Sequence, residues 1–337
     1  MGMTERINER YHWVDVTKGM LIILLLIHHF SSAARRLGIN SDQFWFVTCW
    51  QIIYSCFFMQ AFFFLSGYCS NLSYSAKTFF TKLLKQLIIP VVLFQLIISV
   101  INTYSEQGFS LRAIVYFWFE AKGAMLWFLN ALIVSKIIVW TCLRITKNSL
   151  FMLAFSFVLL LLAIFLKQRD WGTNFFYIRQ SLAAVFFVAC GHFIKDRQEL
   201  FKFVRIGALV FPYLLLLMIL IGIPIPQVTA EMQVGLLSAP IFVFVSLCGT
   251  CACIEACKII GKCKPIEYLG RNTLVVYCLH FLVLVPFAGV LYKVLAPSGL
   301  LMSIIYVVVL YVSVLLVCVF LIEIFNLKPF RWMIGRS

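Results

Sequence analysis

The chain has 337 residues, of which 63% are hydrophobic and only 12% charged. A soluble globular domain carries about 25% charged residues, so this composition excludes a water-soluble enzyme and points to a polytopic membrane protein. The net charge of +15 does not mark a nucleic-acid binder, because the basic residues are scattered between apolar runs and build no basic domain. Continuous apolar runs near 20 residues recur, and the period-2 alternation of a transmembrane barrel is absent. The expected fold is therefore all-α, a polytopic helical bundle.

In chain order, about ten transmembrane helices are expected, near residues 13–34, 44–70, 80–102, 125–143, 149–166, 176–194, 203–223, 234–257, 271–294 and 299–325. The segment from Leu111 to Glu120 is too short to cross and reads as interfacial or re-entrant. The basic start and first apolar run resemble a signal peptide, but two histidines end that run, so it reads as a retained span. With the N-terminus inside, 19 Lys and Arg fall on the inner side and 8 on the outer. That excess places both termini in the cytoplasm and requires an even span number. No internal repeat, pair of broken helices or soluble segment is visible, so residues 1–337 read as one membrane domain with no appended soluble domain. Any chemistry must lie in or beside the bundle.

Of the twelve cysteines, most sit in apolar runs, where Cys acts as a small hydrophobe. The cluster Cys248, Cys251, Cys253, Cys257 and Cys263 lacks two clean C-x-x-C pairs, so no metal site is expected.

The first span carries the chemistry-bearing pattern. Lys18 and His29 are eleven residues apart, almost three helical turns, so they share one face within roughly 20° and stand about 16 Å apart along the axis. Asp15 lies one turn before Lys18, at a spacing that allows an ion pair. His28 points roughly 80° away from that face and reads as a packing or orienting residue. Ionisable groups inside a membrane are functional-site hypotheses by default. Lys18 at the membrane edge suits a nucleotide phosphate. A thioester donor with a pantetheine-length arm would thread upward and bring its acyl end to His29. A neutral imidazole there is suited to take a proton from a hydroxyl.

The spacing Asp15, Lys18, His29 resembles the acyltransferase 3 family of integral membrane acyltransferases. Three later runs are similar to that family's pattern: Ala61-Phe62-Phe63-Phe64-Leu65-Ser66-Gly67-Tyr68, Leu126-Trp127-Phe128-Leu129 with Ala131-Leu132, and Leu269-Gly270-Arg271-Asn272-Thr273-Leu274 followed by Tyr277 and His280. The resemblance spans essentially the whole chain in order. It implies that His29 is the catalytic histidine and that Lys18 holds the position where many members carry Arg. Lys is a point charge without the planar fork of Arg, and it is common in the branch that acetylates glycolipid or surface sugars.

Other candidates each carry two readings. Lys82 and Lys85, with Lys77, anchor the third span on the positive side or cradle donor phosphates. Ser66-Gly67 reads first as close helix packing and second as a hydroxyl near the acyl group. Trp127 and Asn130 begin the fourth span, as an interfacial belt or a sugar-stacking surface. Arg179 either snorkels or holds an anionic acceptor. The resemblance makes an acceptor-side role plausible for His280. Glu323 reads as a helix-end ion pair, so Asp15 and Glu323 are taken as structural support.

The expectation is a membrane-embedded O-acetyltransferase of the inner (plasma) membrane. It would move an acetyl or other short acyl group from cytoplasmic acetyl-CoA or another acyl-CoA to a hydroxyl of a cell-surface or lipid-linked carbohydrate. No tightly bound cofactor is expected, the acyl-CoA being a co-substrate. The partners are the lipid bilayer, the donor and a carbohydrate or glycolipid acceptor, with homo-oligomerisation left open. Two other classes compete. A secondary transporter or flippase would use His29 and His280 for protons or substrate, and a catalytically inactive scaffold would tolerate loss of His29.

Overall fold

The computed structural model describes residues 12–107, 126–170, 177–223, 225 and 234–336, and no strand occurs among them. The first crossing is α1 (His12–His28) with α2 (Phe30–Arg36), and the second is α3 (Trp45–Ser55) with α4 (Phe58–Cys69). The third joins α5 (Ala76–Leu83), a π-helical turn (Leu84–Ile88) and α6 (Ile89–Gln107). Then follow α7 (Trp127–Thr146), α8 (Ser149–Gln168), α9 (Ile178–Asp196), α10 (Lys202–Ile221), α11 (Ala239–Ile260), short α12 (Lys264–Arg271), α13 (Thr273–Leu295) and α14 (Gly299–Asn326). The segment from Leu111 to Glu120 lies outside the described residues.

Among the described residues, nine helices are long and apolar enough to cross a membrane, so the chain is a multi-pass membrane protein. The sixth expected span, α9, is not one of the nine. Its 19 residues still extend about 28 Å. Helix α9 packs against α4, α7 and α8 and buries residues on every side, from Arg179 to His192. A helix surrounded by protein needs less hydropathy than one facing lipid. Helix α10 is the opposite case, with Leu216, Ile219 and Leu220 exposed as a lipid-facing surface would be.

Two reciprocal glycine contacts draw the central helices together. A Cβ on Gly67 of α4 would lie 2.0 Å from the Val188 carbonyl oxygen, and one on Gly191 of α9 would lie 1.9 Å from that of Phe64. Gly19 and Gly270 do the same between α1 and α12, meeting the carbonyls of Ile266 at 2.0 Å and Asp15 at 1.8 Å. Small residues allow backbones to approach this closely in membranes. Gly67 therefore serves helix packing.

Both described ends meet at one face. His12 Nδ1 is 3.1 Å from Glu267 Oε1. Arg271 Nε donates to Asp15 at 3.0 Å, and Arg336 Nη2 donates to the Arg271 carbonyl at 2.7 Å. An even number of crossings follows. The Asp15 carboxylate thus pairs with Arg271, correcting the expected i, i+3 pairing with Lys18. Spacing along one helix cannot reveal a guanidinium 256 residues away.

The first two crossings are broken, against the expectation of no paired broken helices. The first breaks at His29 (φ −80°, ψ −4°), and the second between Ser55 and Phe58. Neither break contains Pro or Gly. Each is instead met by a polar side chain at the ladder, a recognised cause of kinking. Gln51 Nε2 donates to the carbonyls of Ile27 at 2.9 Å and His28 at 3.2 Å. Ser246 Oγ donates to the Cys56 carbonyl at 2.5 Å.

Candidate functional site

A cavity of about 450 Å³ opens between α1, α4, α5, α7 and α13, lined among the described residues by Lys18, Lys82 and Lys136 and by no Asp or Glu. Helical periodicity builds its walls. Leu129, Leu132 and Lys136 follow at i, i+3 and i+7 along α7, and Phe62, Ser66 and Cys69 line it from α4. Lys18 and Lys136 are partly buried. Ammonium groups taken from water without an anion are costly, so such a cavity favours an anionic ligand.

Lys82 differs from the other two. It is exposed and sits 3.8 Å from the centroid of the Tyr74 ring. Its hydrogen bond holds the Tyr74 phenol below the ordinary tyrosine pKa. The loop carrying Tyr74 is tied down by Lys195 Nζ, which donates to the Ser70 carbonyl at 2.7 Å, and by Arg144, which donates to the Ser73 carbonyl at 3.2 Å. The mouth of the cavity is therefore basic and fixed. Lys85 is exposed and is not among the lining residues, although its π-turn neighbours Gln86 and Leu87 are. The extra residue of the π turn changes which side chains face inward, a register that 3.6-residue reasoning misses.

The inner wall ends at Tyr277, whose hydroxyl accepts from the Phe128 N–H at 3.3 Å. The Tyr277 ring lies 6.3 Å from the His280 ring, and His280 lies 4.9 Å from His29. The structure therefore brings Lys18, Lys82, Ser66, His280 and His29 into one succession, from basic mouth to paired imidazoles. His29 flanks the cavity behind Tyr277 and His280 and does not line it. At the break beside His29, the two carbonyls are held by Gln51, which also accepts from Ser31 Oγ at 2.9 Å.

Other candidates lie apart from the cavity lining. Trp127 is buried against Phe63 and Phe128, at ring separations of 6.3 Å each, and Asn130 is partly buried beside it. Arg179 is buried, with Nη1 3.4 Å from exposed Asp170. Glu323 accepts from the Tyr268 hydroxyl, so a phenol rather than a cation meets the end of α14. Among the described residues, no group of three or more His, Cys, Asp or Glu is placed to hold a metal.

Lys136, Gln51 and Tyr277 are the residues that sequence reasoning left out of the site. Lys136 had a visible signal, a lone cation ten residues into an apolar span. Gln51 had none, because its partners are carbonyls on another helix.

A family profile described as an acyltransferase domain matches residues 11–323, nearly the whole chain. No curated protein and no solved structure matches the chain.

Proposed function

The chain belongs to the acyltransferase 3 family and is a membrane acyltransferase, and on that premise we propose that it transfers an acetyl or other short acyl group from acyl-CoA to a carbohydrate hydroxyl. The observation that carries this reading is the cavity itself. Among the described residues three lysines and no carboxylate line it, and it leads to Tyr277, behind which stand His280 and His29.

In this reading Lys18, Lys82 and Lys136 bind the phosphates of the donor as point charges. Helix α1 is unbroken from Lys18 to His28, so His29 stands about 16 Å further along the axis, which suits an extended thioester arm. His29 is the general base. It takes the proton of the acceptor hydroxyl as that oxygen attacks the thioester carbonyl. The carbon–sulfur bond then breaks, and the departing thiolate takes the proton back from the imidazolium. Ester, free thiol and neutral His29 result, so no proton is gained or lost overall. The face bearing Lys18, Lys82 and both described chain ends is the cytoplasmic one, by the excess of basic residues on that side. The acceptor is a cell-surface or lipid-linked sugar of the inner membrane.

Broken helices also occur in secondary transporters, and the breaks at His29 and at Cys56–Phe57 are the observation that favours that second reading. One experiment separates the two. Membranes containing wild type or His29→Ala are supplied with radiolabelled acetyl-CoA, and label is followed into lipid and polysaccharide fractions. Incorporation that requires His29 supports acyl transfer. Equal incorporation by both proteins, with substrate flux into vesicles lacking acyl-CoA, establishes transport instead.

A further inference from the structure

We infer that His280 is a positioning residue whose Nε2 accepts the hydrogen of His29, leaving the other His29 nitrogen free as the base. This rests on the proposed acyl transfer and assigns the tautomers of the imidazole pair.

His280 is fully buried on α13, with Nδ1 3.0 Å from the Val276 carbonyl and 2.8 Å from the Tyr277 carbonyl. A carbonyl can only accept, so Nδ1 carries the hydrogen. In a neutral imidazole the other nitrogen then presents a lone pair. That nitrogen, Nε2, is buried and has no hydrogen-bond partner among the described residues. An unpaired buried acceptor is costly and calls for an explanation, a catalytic role being one.

The His29 ring is 4.9 Å away, with the planes tilted by 45°. Hydrogen bonds of this kind are often long or misaligned in an unliganded site and tighten once substrate is bound. The other neighbours of His29 are weaker candidates. Phe281, at 5.6 Å, offers no acceptor. His28 is further away, at 5.7 Å, and its buried Nδ1 has no partner among the described residues to fix its tautomer.

The arrangement parallels a catalytic triad, in which a third group fixes the tautomer of the base and steadies the imidazolium that forms. Here a neutral imidazole, itself oriented by two backbone carbonyls, takes that part. Substrate contact is left to His29.

The test uses purified full-length protein and compares His280→Phe, His280→Gln and His28→Phe, with kcat and KM for acetyl-CoA measured on the folded, monodisperse fraction. Phe keeps a planar ring without an acceptor, whereas Gln supplies an acceptor oxygen that does not titrate. We expect His280→Phe to lower kcat by about 10- to 100-fold, the range for a lost orienting partner, with KM for acetyl-CoA within about 2-fold of wild type. His280→Gln should restore most of kcat, and His28→Phe should stay near wild type. Wild-type kcat in His280→Phe would overturn the inference, as would equal losses in the Gln and Phe variants. If His29→Ala is inactive while His280→Phe is fully active, only this inference fails. If His29→Ala transfers as well as wild type, the acyltransfer reading itself fails.

Discussion

The lysine-lined cavity and the histidine layer behind it solve opposite electrostatic problems. In the cavity, three cations and, among the described residues, no carboxylate line the space, so attraction for an anion remains, least at Lys82, which already engages Tyr74. Around His29 lie imidazole and phenyl rings rather than ammonium groups, and backbone carbonyls and one amide set the local geometry. The contrast teaches that recognition and reaction are carried by different physical effects a few residues apart. In the proposed acyl transfer, charge gathers the donor, whereas tautomer and placement govern the proton.

Substitutions can break or sharpen that contrast. The largest effect is expected for His29→Ala, which should lower kcat by about 10²- to 10⁴-fold, the usual contribution of a general base. Donor affinity should be retained, as measured by binding of a non-transferable CoA thioether. Weaker binding of that analogue would mean that the two layers are not separable. Next comes Lys136→Met, which keeps the stem and removes the charge. It should raise KM for acetyl-CoA about tenfold, worth about 1.4 kcal/mol, with kcat within about 2-fold. A loss confined to kcat would move Lys136 into the reacting layer. Gln51→Leu tests the support of the break and should reduce kcat about 5-fold, about 1 kcal/mol, the net worth of an ordinary hydrogen bond, at unchanged KM. A shift in KM alone would show that Gln51 does not act through His29. The smallest effect belongs to Lys82→Met, about 2- to 3-fold in KM, because that exposed ammonium already engages Tyr74 and exposed charges contribute little. A larger effect than that of Lys136→Met would reverse the ranking of buried over exposed cations.

The crossings were legible because lipid imposes length and hydropathy on each. The spans expected at 149–166 and 299–325 appear as Ser149–Gln168 and Gly299–Asn326. Helix α9 tested the limit of that logic, since protein rather than lipid surrounds it. Lys18 and His29 were legible because both lie on one helix, where spacing sets the face. Relations between helices were not. Asp15 found Arg271, Gln51 found the break at His29, and the π turn turned Gln86 and Leu87 inward while Lys85 stayed outside. Each of these depends on which helices touch, and a local pattern does not carry that information.

The pairing of Asp15 with Arg271 also has a consequence for biogenesis. The two residues are 256 positions apart. At a synthesis rate of about 5–20 residues per second, Asp15 enters the membrane roughly 10 to 50 s before its guanidinium emerges. Throughout that interval the first crossing lacks the clamp made by α12, including the glycine seat at Gly19 and Gly270. The basic cavity and the histidine pair therefore close late, when α12 and α13 arrive from the ribosome. A chain halted before Arg271 holds His29 in the membrane with Gln51 at its break but without His280 beside it.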